Sequence, residues 1–249
     1  MVLGALQIVY RDMRAETEKS QYFLKLGRIM EPVVSYFAPP LCLHCREKPR
    51  TDAYLCDTCR QQAFPEKWIP VHPEDSVCCL HRLNPVVRSL VHGLKYHGMQ
   101  GIAAYLVSQV RLQMDFGVNP CWIPVPVHSA RLRERGYNQA LLLAQALQIR
   151  WGGTVYPRVL RRKRYAVSQT RLDAQIRRRN IAGAFSAKAP LPTDVILVDD
   201  VYTTGSTTGS CENALLRAGA RSVRICTIAY EPPGDGREDW LLDQAQGWG

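Results

Sequence analysis

The segment Val195-Ile-Leu-Val-Asp-Asp-Val-Tyr-Thr-Thr-Gly-Ser-Thr207 decides how this chain folds. It opens with four consecutive aliphatic residues, Val195–Val198, which are typical of a strand buried on both faces of a parallel sheet. A helix is predicted from about Ser206 to Ala218, where Gly219 ends it, and a last strand over Val223–Ile228. This order of elements indicates an α/β fold with a mostly parallel sheet and flanking helices, which binds ligands at the carboxyl ends of its strands.

The same alternation of helices and strands extends upstream to Val86. The predicted helices are Val86–Lys95, Ile102–Met114 and Asn138–Trp151, and the predicted strands are Trp122–Val127 and Val155–Leu160. Residues 86–230 are therefore interpreted as one α/β domain. The remaining segments are predicted to be an N-terminal extension at 1–40, a cysteine unit at 41–60, a proline-rich linker at 61–85 and a disordered acidic tail at 231–249.

Asp199 and Asp200 follow the buried aliphatic residues directly. Two adjacent carboxylates repel each other in a solvent-poor cleft, but they are tolerable where they accept hydrogen bonds from a diol such as ribose, with Mg²⁺ nearby. The turn that follows offers hydroxyl and backbone N–H groups at the N-terminus of a helix, from Thr203, Thr204, Gly205, Ser206 and Thr207. Acids for a sugar beside amides for a phosphate predict a ribose 5-phosphate site; the alternative is a strand–turn–helix with a polar cap.

Two C-x-x-C pairs, Cys42-Leu-His-Cys45 and Cys56-Asp-Thr-Cys59, define the cysteine unit. Paired short spacings let four thiolates converge tetrahedrally on Zn²⁺, and a structural metal would supply the folding energy that so small a unit lacks. The alternative is disulfide pairing. Cys78, Cys79 and His81 are either the remnant of a second metal knuckle or ordinary buried residues.

The chain of 249 residues carries a net charge of +10. Much of the excess lies between Arg158 and Arg179, where nine bases stand against the single acid Asp173. Clustered guanidinium groups suit a pyrophosphate or a nucleic-acid backbone, and the alternative is a solvated loop.

Neither a signal peptide nor a membrane span is predicted. The apolar N-terminus has no basic region before it, and Gly136–Ile149, the longest charge-free stretch with helical character, is too short to cross a bilayer. We therefore expect a cytoplasmic location, with cysteines that are reduced or bound to metal.

Several motifs follow the cysteine unit in a characteristic order. They are Leu94-Lys-Tyr-His-Gly98, Ile123-Pro-Val-Pro-Val127, Arg135-Gly-Tyr-Asn-Gln139 and the segment quoted first. That segment resembles the phosphoribosyl pyrophosphate (PRPP) signature of type I phosphoribosyltransferases. The whole order resembles the ComF/GntX family of competence protein F-like bacterial proteins, over about residues 41–230. The resemblance implies a type I phosphoribosyltransferase fold with an N-terminal zinc-binding unit, and a role in DNA uptake or in the use of external DNA.

Three functions are compatible with this resemblance. An enzyme would displace pyrophosphate from PRPP, with Asp199 and Asp200 on the ribose, Thr203–Thr207 on the 5-phosphate, and Mg²⁺ with basic side chains on the pyrophosphate. The candidates for the basic role are Lys95, Arg135 and Arg177. A binding module would instead engage single-stranded DNA beside the uptake machinery at the inner membrane face, through the zinc unit and the basic stretch. The third function is a PRPP-sensing regulator.

Overall fold

The computed structural model describes residues 39–65, 71–74, 76–111, 114–162 and 184–231. Contacts divide the chain into two compact units, Met1–Gln62 and Ala63–Gly249. Most of the predicted N-terminal extension, the basic stretch from residue 163 with Arg177, and the acidic tail from residue 232 lie outside the described residues.

The described residues form six helices and eight strands. The helices are α1 Asp57–Ala63, α2 Pro85–Tyr96, α3 Ile102–Ser108, α4 Ser129–Arg135, α5 Gln139–Trp151 and α6 Ser206–Arg217. The strands are β1 Val71–Glu74, β2 Val77–Arg82, β3 Cys121–Pro124, β4 Thr154–Val155, β5 Leu160–Arg162, β6 Phe185–Ala187, β7 Asp194–Tyr202 and β8 Ser222–Tyr230.

Six of the strands make one sheet in the order β1-β2-β8-β7-β3-β4. All neighbours in it are parallel except β1 and β2. Strand β7 lies inside the sheet and pairs with β8 from Asp194 to Tyr202, while Ile196–Val198 face β3 on the other side. Because α5 packs on β3 and β7 and α6 packs on β6, β7 and β8, the predicted mostly parallel sheet with flanking helices is confirmed.

The core of the second unit is built on β7. Its aliphatic residues Val195–Val198 are all buried, as their sequence pattern predicts. Leu197 packs in one cluster with Ile123 of β3, Ile225 of β8 and Leu215 of α6. This packing fixes the carboxyl end of β7, where the polar residues of the quoted segment begin.

Two predicted features of the chain are corrected. The sequence predicts a linker over residues 61–85, but β2 lies within them and pairs with β8 inside the sheet, so it belongs to the second unit. Its polar His81 is accommodated because Nε2 bonds to the carbonyl of Leu106 at 2.8 Å. The single strand predicted over Val155–Leu160 is wrong, because β4 ends at Val155 and Leu160 begins β5, which belongs to a separate two-stranded sheet with β6.

Candidate functional site

Strand β7 carries Asp199 and Asp200 near its carboxyl end. The strand runs on to Tyr202, so both carboxylates belong to the sheet rather than to the loop after it. Asp200 is buried and Asp199 is half-buried, and Oδ1 of Asp199 accepts a hydrogen bond from the backbone N–H of Asp200 at 2.9 Å. Two acidic side chains thus stand together at the end of the sheet where a parallel α/β fold binds ligands.

Lys95, near the end of α2, partners one of these carboxylates. Its Nζ lies 2.9 Å from Oδ1 of Asp200, and both side chains are largely shielded from solvent. The second oxygen of Asp200, Oδ2, is buried and has no hydrogen-bond partner among the described residues. Since a buried acceptor without a partner is costly, this oxygen is a place where a ligand hydroxyl or a cation would be stabilised.

The electrostatic setting of Asp199 favours its neutral form. Burial, followed by the neighbouring Asp200 carboxylate, raises the pKa of Asp199 to about 7, although the backbone N–H of Asp200, Lys95 and Arg162 act in the opposite direction. A strongly perturbed pKa of a carboxyl group is one physical mark of a functional site.

The loop after β7 leads into the N-terminus of α6. Gly205 precedes that helix with φ +69°, and it offers no side chain to cap the first turn. Its carbonyl accepts a hydrogen bond from Oγ1 of Thr208 at 3.0 Å, while the hydroxyls of Thr204 and Ser206 lie 2.8 Å apart. Thr203 is exposed and Thr207 is half-buried. The first-turn N–H groups and these hydroxyls together form a concentration of donors suited to an anion.

Besides its positive φ, the contact of Gly205 with Tyr202 also requires glycine at this position. A Cβ built on it would lie 2.5 Å from the hydroxyl and 3.0 Å from Cζ of Tyr202, a buried side chain. A side chain at Gly205 would therefore disturb the end of β7 as well as the loop. The sequence motif contains Tyr202, but nothing in the pattern indicates this supporting role.

A cavity of about 610 Å³ opens beside the same loop. The lining residues include loop residues Thr204 and Gly205 together with Ser206, Ser210 and Asn213 of α6. Asp199 and Asp200 do not line it. The loop thus borders the cavity, whereas the carboxylates stand apart from it.

Arg135 ends α4 close to the end of α2. Its Nη1 donates to Oε1 of Gln139 at 2.6 Å, and its Cζ lies 5.3 Å from the centre of the Tyr96 ring. The hydroxyl of Tyr137 donates to the carbonyl of Leu94, which joins the Arg135–Gln139 motif to α2. Two of the three predicted basic residues, Lys95 and Arg135, are thus brought to one region, and Arg177 lies outside the described residues.

Arg162 is a basic residue that the sequence alone does not single out near the carboxylates. It lies on β5, with its Cζ 5.4 Å from the centre of the Phe185 ring on the paired strand β6. Its charge is one of those that lower the pKa of Asp199. The sequence offers only a run of nine bases, in which no spacing distinguishes Arg162 from its neighbours.

The first unit brings four thiols together. The Sγ atoms of Cys42, Cys45, Cys56 and Cys59 all lie within 4.8 Å of one another, and no disulfide joins them. The sulfurs of Cys45 and Cys56 are 3.9 Å apart, near the roughly 3.8 Å expected between two ligands of a tetrahedral metal–thiolate centre. The donor set fits a soft divalent ion, so this cluster could hold a metal such as zinc.

The backbone around the cluster lowers the pKa of Cys42, one of its four thiols. Burial opposes ionisation of Cys42, but hydrogen bonds from the backbone of Cys56, Cys45 and His44 outweigh it and lower the pKa of Cys42 to about 6. Oδ1 of Asp52 accepts from the backbone N–H groups of Tyr54 and Leu55 at 2.8 Å, which fixes the turn before Cys56. The thiolate form that a metal requires is thus favoured at one ligand.

Cys78, Cys79 and His81 lie in strand β2 and belong to the sheet. Cys79 and His81 are buried, and burial lowers the pKa of His81 to about 4. Oγ1 of Thr227 donates to Sγ of Cys79 at 3.1 Å. Of the two alternatives, ordinary buried residues therefore describe Cys79 and His81.

No helix among the described residues is long and apolar enough to span a membrane.

No family model matches the chain. Individual proteins are nevertheless similar to it over about three quarters of its length. DNA utilization protein YhgH of Salmonella typhimurium is 31% identical over 194 residues, which cover 74% of this chain and 82% of the relative. Competence protein F of Haemophilus influenzae is 30% identical over 202 residues, covering 76% and 84%.

More distant similarities also occur. Competence protein ComFC of Streptococcus pneumoniae is 25% identical over 107 residues, covering 43% of this chain and 46% of the relative. Among solved structures, the allosteric regulatory enzyme of purine biosynthesis aligns with a TM-score of 0.34 and 17% identity, covering 53% of this chain and 25% of that one.

Proposed function

The chain belongs to the ComF family, together with DNA utilization protein YhgH and competence protein F, and we propose that it binds PRPP with Mg²⁺ at the carboxyl end of β7. The observation that carries the proposal is the buried Asp200 carboxylate, which has Lys95 on one oxygen and no described partner on the other. Membership in this family supports a role for that binding in the use of external DNA.

The carboxylates would hold the ribose. Asp199 and Asp200 are adjacent on β7, and the vicinal hydroxyls of a ribose can donate one hydrogen bond to each. The ribose would satisfy Oδ2 of Asp200, which removes the cost of a buried acceptor without a partner. At Asp199, a donated hydrogen bond favours the charged carboxylate and so opposes the burial that raises its pKa.

The loop would hold the 5-phosphate. Thr203, Thr204, Gly205, Ser206 and Thr207 present hydroxyl and N–H donors where α6 begins. The positive end of the helix dipole adds to the attraction for an anion.

The pyrophosphate would lie towards the basic side chains. Lys95 is 2.9 Å from Asp200, so it can exchange part of that contact for a phosphate oxygen, and Arg135 follows at the end of α4. Arg177 stays a candidate from the sequence. Oxygen ligands suit Mg²⁺, which when bound with PRPP neutralises the charge of the pyrophosphate. Displacement of that group by a nucleophile would make the protein a phosphoribosyltransferase.

The first unit would be a structural zinc site. Four cysteine ligands would fill a tetrahedral zinc site and leave no position for water or substrate, which is typical of structural rather than catalytic zinc. Unpaired thiols at this density fit a reducing compartment, which supports a cytoplasmic location.

Calorimetry with PRPP and Mg²⁺ tests the proposal. Replacing Asp199 and Asp200 by Asn should weaken binding strongly, because each lost hydrogen bond to a charged group costs about 1.5–3 kcal/mol. The matched control is Asp194→Asn on the same strand, since Asp194 is exposed and pairs with Arg221 away from the carboxyl end. Equal affinity of the double variant and the wild type would remove the basis for the assignment.

A further inference from the structure

The cavity beside the loop extends along α6. Its volume of about 610 Å³ lies within the roughly 300–1,000 Å³ that is usual for small-molecule sites. Its lining residues run from Thr204 and Gly205 in the loop to Asn213 and Arg217 on the helix. Asn213 lies two turns, or about 10 Å, beyond the first residue of α6, and Arg217 lies about 6 Å further along the axis. The cavity is thus much longer than a phosphate group bound at the loop.

The loop lies between the carboxylates, which precede it on β7, and the cavity, which follows it along α6. Asp199 and Asp200 do not line the cavity. A ribose on these carboxylates, with its 5-phosphate at the loop, therefore leaves the cavity to whatever that phosphate carries on its other side. PRPP carries nothing there, because its 5-phosphate is a monoester.

The polar side chains of the cavity are suited to a nucleoside. Ser210, Asn213 and Arg217 line it, and none of their side chains makes a hydrogen bond or an ion pair with another described residue. A carboxamide can form paired hydrogen bonds with the edge of adenine, and a planar guanidinium can stack on a base. Glu212 also lines the cavity and balances the charge of Arg217, so the lining favours a neutral group over a second terminal phosphate.

Gly209 keeps the cavity open next to the loop. It lies inside α6, where its N–H donates to the carbonyl of Gly205 at 2.7 Å. A Cβ built on Gly209 meets no atom within 4 Å, so no described neighbour requires glycine at this position. Glycine inside a helix lowers helix stability relative to alanine. The space that it leaves is available to a ligand.

We propose that the cavity binds the nucleoside of a dinucleotide in which ribose 5-phosphate is joined through its phosphate to a nucleoside 5-phosphate, as in ADP-ribose. The ribose lies on the carboxylates, the diphosphate crosses the loop and the start of α6, and the base reaches Asn213 and Arg217. This inference rests on the proposed phosphate site at the loop. It extends the ligand class from PRPP to ribose 5-phosphates that are substituted on the phosphate.

The test is calorimetry with ADP-ribose and with ribose 5-phosphate. The two ligands share the same free ribose and differ only in the adenosine monophosphate that ADP-ribose carries on its phosphate. The wild type should bind ADP-ribose roughly 10- to 100-fold more tightly, which corresponds to a few additional neutral hydrogen bonds in the cavity.

Variants of α6 locate the additional contacts. Gly209→Leu should abolish the preference for ADP-ribose, because the new side chain fills the cavity while leucine favours the helix. Asn213→Ala combined with Arg217→Gln should weaken ADP-ribose binding roughly 5- to 30-fold and change ribose 5-phosphate binding less than about twofold. Leu216→Phe is the matched control, since it adds bulk to α6 at an exposed side chain that does not line the cavity.

The inference is wrong if the wild type binds ADP-ribose no more tightly than ribose 5-phosphate, or if Gly209→Leu weakens both ligands equally. PRPP calorimetry on the same wild-type sample separates this result from a failure of the proposed function. Binding of PRPP without a preference for ADP-ribose removes the cavity site and leaves the PRPP site intact. Absence of binding for all three ligands contradicts both proposals.

Discussion

The cysteine cluster and the carboxylate pair of β7 are held together in opposite ways. The four thiols come from residues 42–59, and their unit has few apolar side chains to bury. The carboxylates stand on a strand that is buried on both sides by its neighbours, and their partner Lys95 comes from a helix far upstream. A bound metal would thus be the source of stability for the first region, whereas the sheet core already stabilises the second.

Removal of metal should produce the largest effect. A structural zinc site contributes about 10–16 kcal/mol of binding free energy, so a chelator should unfold the cysteine unit of the full-length protein. Amide hydrogen exchange should become fast over residues 41–62 and stay slow in β7. Metal analysis should give one zinc per chain, and Cys56→Ser should lose it.

Cys121→Ser is the matched control, since Cys121 is a half-buried cysteine of β3 outside the cluster. That variant should keep its zinc. If the amides of residues 41–62 stay protected from hydrogen exchange after metal removal, the cysteine unit is stable without metal. The proposed difference between the two regions would then be wrong.

The contrast also explains what the sequence can predict. The thiol cluster depends on two short spacings, so the four cysteines that the structure brings together can be read from Cys42-Leu-His-Cys45 and Cys56-Asp-Thr-Cys59 alone. Strand β7 and helix α6 are recognisable for the same reason, because the four aliphatic residues before Asp199 and the stop at Gly219 are local signals.

Features that depend on tertiary structure are not recognisable in this way. The pairing of Lys95 with Asp200 joins α2 to β7, and no local pattern encodes it. Strand β2 lies in a proline-rich part of the sequence, which does not resemble a strand. The burial of its polar His81 is possible because of a hydrogen bond to the carbonyl of Leu106, which is distant in sequence. The clash that requires glycine at position 205 involves the folded position of Tyr202.

The Lys95–Asp200 pair should give the next largest effect. Lys95→Met leaves a buried carboxylate with no cation, and breaking a buried pair in this way costs roughly 3–5 kcal/mol, less here because 23% of the Lys95 side chain is exposed. Urea unfolding should show this loss. In the Asp200→Asn background, Lys95→Met should lower the free energy of unfolding much less than it does in the wild type. If the effects of the two substitutions are instead additive, the Lys95–Asp200 pair contributes nothing to stability.

Asp199 should make stability depend on pH. Its pKa is about 7 in the folded chain against an ordinary value of 3.8, so the folded state keeps a proton that the unfolded state loses. The contribution of Asp199 to the free energy of unfolding is therefore largest below about pH 4, and it is lost as the pH rises to 7. Relative to Asp199→Asn, the wild type should therefore lose about 1–3 kcal/mol of unfolding free energy between pH 4 and pH 8.

Asp194 provides a control of opposite sign. Hydrogen bonds from Ser222 and Arg221 lower its pKa, so its contribution is present at neutral pH and is lost as the pH falls through its folded pKa. Asp194→Asn should remove that acid-side loss. If Asp199→Asn shows the same pH profile as the wild type, Asp199 does not titrate as its surroundings require.

Two glycines near the start of α6 should give the smallest effects, with opposite signs. Gly205→Ala places a Cβ against Tyr202 at φ +69° and should destabilise by about 1–2 kcal/mol or more. Gly209→Ala meets no atom within 4 Å inside the helix and should stabilise by about 0.5–1 kcal/mol. Thermal unfolding of both variants measures the difference, and a neutral Gly205→Ala would mean that the loop does not need its present conformation.

The most direct test of the central claim is a crystal structure of the protein with PRPP and Mg²⁺. We expect the ribose hydroxyls within hydrogen-bonding distance of Asp199 and Asp200, and the 5-phosphate against the N–H groups of residues 204–207. Lys95 should lie between Asp200 and the pyrophosphate. Electron density for PRPP anywhere else, or an empty carboxyl end of β7 at saturating PRPP, would contradict the account.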